Sequence, residues 1–180
     1  QEILNAIVDI GVGDDFIVAL SELIQNLTID SLHIIGDIFD RGPCADRIMD
    51  LLTTYHSIDI EWGNHDILWM GAAAGSRACI ATVIRNNLKY DNMKIMENSY
   101  GISLRNLTLF AEKIYPQIDP MEAALKAISV LLFKLEGQVI LRNPDYKMED
   151  KLLLHKVDVK RQVVEIGGKE YKIKKEEFPT

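Results

Sequence analysis

The sequence predicts an α/β fold: a strand–helix–strand unit in the first third, a large helical insertion after it, and a β-hairpin near the C-terminus. Three features carry that expectation. Leu32-His33-Ile34-Ile35 is a short apolar run closed by Gly36, and Ile58-Asp59-Ile60-Glu61-Trp62 alternates and closes at Gly63. Both read as strands, the first of the buried parallel kind. Met121, Leu125, Ile128, Leu132 and Leu135 recur at steps of four, three, four and three residues, a single helical stripe. Gly167-Gly168 separates two alternating runs, which is a hairpin signal.

In chain order, Asp14-Asp15 is expected to cap a helix whose stripe is Phe16, Leu20, Leu23 and Leu27. After the first strand, Gly42-Pro43 marks a helix start, because proline is tolerated in a first turn. Ile48, Leu51, Leu52 and Tyr55 continue that helix. The second strand completes a βαβ unit of about thirty residues with a right-handed crossover. Residues 65–114 turn helical, and the small residues from Gly71 to Ala81 permit close packing. Asp119-Pro120 opens the most regular helix and Gly137 is expected to end it. Its stripe is either core or a seam for a partner helix. Val157 to Ile166 then pairs with Lys169 to Lys174. The expected division is 1–66 for the α/β core, 67–137 for a helical cap, and 138–180 for a connecting segment and hairpin.

The 180 residues include 20 Lys+Arg and 27 Asp+Glu, a net charge of −7, with 48% hydrophobic residues. That balance is ordinary for a globular chain and wrong for a disordered one. The acidic excess argues against a nucleic-acid partner, since phosphate backbones draw surplus Lys and Arg. The basic tail (Lys169, Lys172, Lys174, Lys175) is diluted by Glu170, Glu176 and Glu177 into a solvated face. No apolar run reaches the roughly 18 residues of a membrane span. Cys44 and Cys79 stand far apart with no C-x-x-C, which speaks against a zinc knuckle or a disulfide framework and for a reducing, cytoplasmic compartment. Gln1 to Asn5 shows neither a signal peptide nor an initiator Met, so the chain is expected to be an internal piece of something longer.

The chemistry gathers in two loops, Gly36-Asp37-Ile38-Phe39-Asp40-Arg41-Gly42-Pro43 and Gly63-Asn64-His65-Asp66, each directly after a predicted strand. Ligands of parallel sheets bind beyond the carboxyl ends of strands. Neighbouring strands would therefore bring Asp37 and Asn64 to one pocket across 27 positions of sequence. A carboxylate and an amide oxygen are hard donors suited to Mn²⁺ or Mg²⁺. A carboxylate can also bridge a metal pair that activates water for attack on phosphorus. Arg41 offers a planar fork for phosphate oxygens. His65 is suited to protonate a leaving alkoxide, and Asp40 to orient His65 and favour its protonated form.

Gly-Asp-x-x-Asp-Arg-Gly followed by Gly-Asn-His-Asp resembles the signature of the calcineurin-like metallophosphoesterases. The stretches around it (LHIIGDIFDRGP, IMDLLTTYHSIDIEWGNHDILWMGAAAGS and Ile166-Gly-Gly-Lys-Glu-Tyr171) are similar to the class III bacterial fructose-1,6-bisphosphatases over nearly the whole chain. The resemblance implies a partial metallophosphoesterase core and hydrolysis of fructose 1,6-bisphosphate to fructose 6-phosphate and phosphate, in gluconeogenesis, with Mn²⁺. By motif position it implies Asp37 as a bridging metal ligand, Asn64 as ligand of a second metal, His65 as the acid, Asp40 as its partner and Arg41 as the phosphate clamp. The wider family opens its site with Asp-x-His and adds further His ligands downstream. Here Asp30-Ser-Leu-His33 has a different spacing, and the downstream His155 lies in Leu-Leu-Leu-His-Lys-Val. Weak metal binding and negligible turnover are therefore expected of this stretch by itself. A protein or dinucleotide phosphatase is the nearest alternative. A non-catalytic helical scaffold, with the Met121–Leu135 stripe as partner seam, is the alternative of a different class. Self-association stays open. Arg77, Arg85 and Lys89 are cations after the second loop, candidates for sugar contacts or a solvated face.

Overall fold

In the computed structural model the described residues, 1–174, form a mixed α/β chain. Lys175, Glu176 and Glu177 of the expected basic tail lie outside the described residues, as does Phe178-Pro179-Thr180. Two helices come first, α1 (Glu2–Asp9) and α2 (Gly13–Thr28). α1 is not among the expected helices, although Ile3, Leu4, Ile7 and Val8 recur at helical spacing. Asp14 and Asp15 do not cap α2, because Gly13 already belongs to it; they occupy its first turn, where carboxylates suit the exposed N–H groups of a helix start. The expected stripe forms but stays uncovered, with Leu20 and Leu27 44% and 74% exposed. α2 buries none of its residues.

β1 (Leu32–Ile34) and β2 (Ile58–Ile60) pair in parallel, in the register Leu32–Ile58, His33–Asp59, Ile34–Ile60. Helix α3 (Ala45–Thr54) is the crossover between them. Both strands are shorter than the apolar runs suggest. On the exposed face the register is marked by a cross-strand pair, His33 Nδ1 to Asp59 Oδ2 at 2.7 Å. α3 does not start at Gly42-Pro43. Cys44 adopts a left-handed φ of 68° at the N-cap, and this turn redirects the chain before the first helical residue, Ala45.

The helical part comprises α4 (Asn64–Ala73), α5 (Arg77–Lys89), a π-helical turn Ile95–Ser99, α6 (Arg105–Ile114) and α7 (Pro120–Arg142). Its core is built largely from small residues: Ala81, Ala111, Ala123, Ala124 and Ala127 are buried together with Val83, Met96, Ile128 and Leu132. Alanines let helix axes approach closely, and so does Gly71, where a Cβ would come to 2.7 Å of Cys79 Sγ. Both cysteines are free thiols. Asp119 caps α7, its Oδ1 accepting from Met121 N and Glu122 N at 2.9 and 3.2 Å. The α7 stripe is core, since Ile128 and Leu132 are buried and Leu125 and Leu135 pack against the same cluster. Met121, the first residue of the stripe, is 45% exposed. Gly137 does not end the helix. The stop comes at Asn143-Pro144, where the residue before a proline is pushed out of helical geometry.

The C-terminal hairpin is a three-stranded antiparallel meander of β3 (Val157–Asp158), β4 (Val163–Ile166) and β5 (Lys169–Lys172). The single long strand expected from Val157 is broken by Asp158, whose Oδ1 accepts from Lys160 N and Arg161 N at 3.0 Å. Side-chain capture of that kind makes a turn. Gly167 and Gly168, both at positive φ, join β4 to β5 as the sequence predicts.

This packing predicts a sharp contrast in thermal or urea denaturation. Leu132→Ala should cost about 2–5 kcal/mol, since it opens a cavity in the core. Asp119→Ala should cost about 1 kcal/mol for the lost cap. Leu27→Ala, on the uncovered face of α2, should stay within about 0.5 kcal/mol.

Candidate functional site

The loops after β1 and β2 leave the same edge of the parallel pair and touch each other. Gly36, at φ +84°, lies so close to the second loop that a Cβ there would strike the backbone of Glu61 and Gly63. A Cβ on Gly63 would strike the backbone and carboxylate of Asp37. Glycine is the residue that permits this approach. Asp37 itself takes a left-handed φ of 52°, which an Asp tolerates better than most residues. Its Oδ1 accepts from His65 N at 3.2 Å. Asn64, exposed, is the first residue of α4, between Gly63 and His65.

The two loops share one fastening. Asp66 is 1% exposed, and its two carboxylate oxygens face different loops. Oδ1 accepts from Phe39 N at 3.0 Å and Oδ2 from Gly63 N at 2.9 Å. Phe39 also stacks on Trp69 of α4, centroids 4.7 Å apart, and Trp69 lies 5.4 Å from Tyr100. The first loop is thus held by a carboxylate and by an aromatic face.

Asp40 Oδ1 lies 3.0 Å from His65 Nε2 and 3.5 Å from Arg41 Nε. That oxygen is buried and takes no aligned hydrogen bond among the described residues, so the Arg41 contact acts through charge. A narrow cavity of about 10 Å³ opens beside the pair, lined in part by His65, Asn86, Asn87 and Asn92. Arg41 projects towards solvent, with its Cζ 5.0 Å from the Tyr90 ring centroid.

Asp37, Asp40, Arg41 and His65 therefore meet at one loop junction, and Asn64 emerges from the same place. The downstream cations do not gather there as a set. Arg85 Nε donates to Ser129 Oγ at 3.2 Å, tying α5 to α7, and Arg77 lines a separate cavity with Arg142. Lys89 lies against the Tyr90 ring at 5.4 Å. His33 sits within β1 and His155 in a 3-10 turn, Leu153–Lys156. Sequence reasoning missed Asp66 as the fastening residue, although an acidic residue three places after a glycine N-cap is a capping signal. It also missed Tyr90 and Asn92, which no motif marks.

Asp37 and Asn64 supply the hard oxygen donors that Mn²⁺ and Mg²⁺ prefer. Among the described residues no group of three His, Cys, Asp or Glu is arranged to hold a metal. The donor chemistry fits a divalent cation that takes further ligands from elsewhere.

The family model described as Firmicute fructose-1,6-bisphosphatase matches residues 1–180. Among curated proteins, the chain is 49% identical over 200 residues to the fructose-1,6-bisphosphatase class 3 1 of Clostridium beijerinckii, covering 100% of this chain and 30% of the relative. It is 47% identical to the class 3 enzyme of Listeria monocytogenes, over 100% of this chain and 31% of the relative. The class 3 protein of Parabacteroides distasonis is 47% identical over 100% of this chain and 30% of its own length. The chain thus spans about 30% of the length of these relatives. No solved structure matches it. Among the described residues no helix is long and apolar enough to cross a membrane.

Asp66→Ala leaves two N–H groups without their charged acceptor, and should lower stability by about 2–4 kcal/mol. Hydrogen exchange at Phe39 N and Gly63 N should rise together. Exchange that rises at only one of them would mean that the loops are not fastened by the same carboxylate.

Proposed function

The chain belongs to the Firmicute fructose-1,6-bisphosphatase family, and from that premise we propose that the complete protein hydrolyses fructose 1,6-bisphosphate to fructose 6-phosphate and phosphate. The reading places that reaction in gluconeogenesis, in the cytoplasm, with Mn²⁺ as cofactor and Mg²⁺ as a substitute. The observation that supports it most is the packing of the Asp37 loop directly on the start of α4. In this reading residues 1–66 carry part of a metallophosphoesterase core and 67–137 a helical cap, whose last helix runs on to Arg142. The meander follows.

Asp37 and Asn64 would hold the cation. Such a metal supplies an activated water and neutralises charge on phosphoryl oxygens. The other roles belong to the chain itself. Arg41 presents a planar fork to the phosphate, which fixes orientation as well as charge. His65 protonates the departing alkoxide. With Nε2 facing Asp40 at 3.0 Å, that proton leaves from Nδ1. Asp40 holds the ring in place and complements its charge. The two donors Asp37 and Asn64 are few for a divalent cation, so residues 1–180 by themselves should bind Mn²⁺ weakly and turn over negligibly.

Phosphate release from fructose 1,6-bisphosphate by the complete protein tests the proposal. It should require Mn²⁺ and stop on chelation. His65→Ala should lower kcat by about 10²–10⁴. Asp37→Ala should lose more than the roughly 10–100-fold typical of an outer-sphere partner. Release from a phosphopeptide or a dinucleotide but not from the sugar bisphosphate would assign a different phosphoesterase. Undiminished release by Asp37→Ala would refute the site.

A further inference from the structure

α5 ends in a reversal that reaches into the first site loop. Tyr90 closes the helix, Asp91 turns left-handed at φ +55°, and Asn92 N donates back to Asn87 O at 2.9 Å. This is the six-to-one bond of a Schellman motif, with Asp in the place where glycine is commonest. The reversal brings Asn92 over the helix end and towards Arg41. Asn92 Nδ2 donates to the Arg41 carbonyl at 2.9 Å, across 51 residues of sequence. Two residues earlier, the Tyr90 ring meets the Arg41 guanidinium, Cζ to centroid 5.0 Å. Lys89 Nζ lies 5.4 Å from the same ring.

An arginine side chain this exposed ordinarily samples many rotamers, and ordering it on a ligand costs entropy. Here Arg41 is constrained at three points: its carbonyl by Asn92, its guanidinium plane by Tyr90 and its Nε by Asp40 at 3.5 Å. We propose that Tyr90 and Asn92, at the end of α5, are positioning residues that hold the Arg41 guanidinium ready as an anion-binding fork. The proposal rests on the phosphatase reading only for what the anion is. The constraint on Arg41 stands apart from any turnover.

Chemical modification of the complete protein separates the two. Phenylglyoxal labelling of Arg41, followed by peptide mass spectrometry, should be slow in the wild type and in Tyr90→Phe, which keeps the ring. It should be faster in Tyr90→Leu and Asn92→Ala, with labelling of Arg47 on α3 unchanged. The inorganic phosphate concentration that half-protects Arg41 should rise about two- to fivefold in Tyr90→Leu, the range of an exposed cation–π contact. It should not move in Tyr90→Phe. Equal Arg41 labelling in all four proteins would overturn the proposal. If Tyr90→Leu also unmasks Arg85, the helix has loosened, and Asn92→Ala, which removes a single hydrogen bond, decides the matter. Faster labelling in the variants with no protection by phosphate in the wild type would keep the positioning role and refute Arg41 as a phosphate clamp.

Discussion

The arrangement of the site depends on one buried carboxylate. Asp66 accepts one N–H from each of two loops that are far apart in sequence and adjacent in space. Burying an ionised carboxylate is costly unless its charge is met by donors, and hydrogen bonds to a charged acceptor are stronger than neutral ones. Here the donors are backbone groups, which cannot rotate away as a lysine could. The loops are therefore positioned by main chain, and the side chains of Asp37, Asp40 and His65 inherit that placement. Gly36 and Gly63 make the arrangement sterically possible, because a Cβ at either would break the contact between the loops.

Around that fastening, the helical segment braces the first loop. Phe39, Trp69 and Tyr100 form a run of aromatic contacts from the first loop through α4 to the π-helical turn. At the end of that turn, beside Tyr100, Ser99 Oγ donates to Asp46 Oδ2 at 2.6 Å, which ties it to α3 and holds the Asp46 carboxyl below its ordinary range. The parallel pair contributes only short strands, so the rigidity of the loops comes largely from helices that pack through alanines and one close glycine. α1 and α2 bury no residue.

Much of this was readable in the residues. The two strands and α7 declare themselves because an apolar run or stripe is local and survives in one dimension. The convergence of Asp37 with the Asn64-His65 start of α4 followed from a rule about strand ends and needed no contact information. What could not be read is equally specific. Phe16 to Leu27 makes a proper amphipathic stripe, yet pattern cannot say whether anything covers it. Gly137 looks like a helix stop, but the true stop, Asn143-Pro144, lies beyond it and is stronger. Asp158 breaks a strand by capturing two N–H groups, a competition that hydrophobic alternation does not reveal. Tyr90 and Asn92 act on Arg41 only because α5 ends where it does, and that meeting exists solely in three dimensions.

The central claim is that the Asp37 loop and the start of α4 together face a divalent cation. Anomalous diffraction at the manganese edge from crystals of the complete protein soaked in Mn²⁺ tests it most directly. The account predicts density in contact with the Asp37 carboxylate, and a manganese close enough to the Asn64 amide oxygen to be its ligand. Manganese bound only at sites remote from both side chains would contradict it.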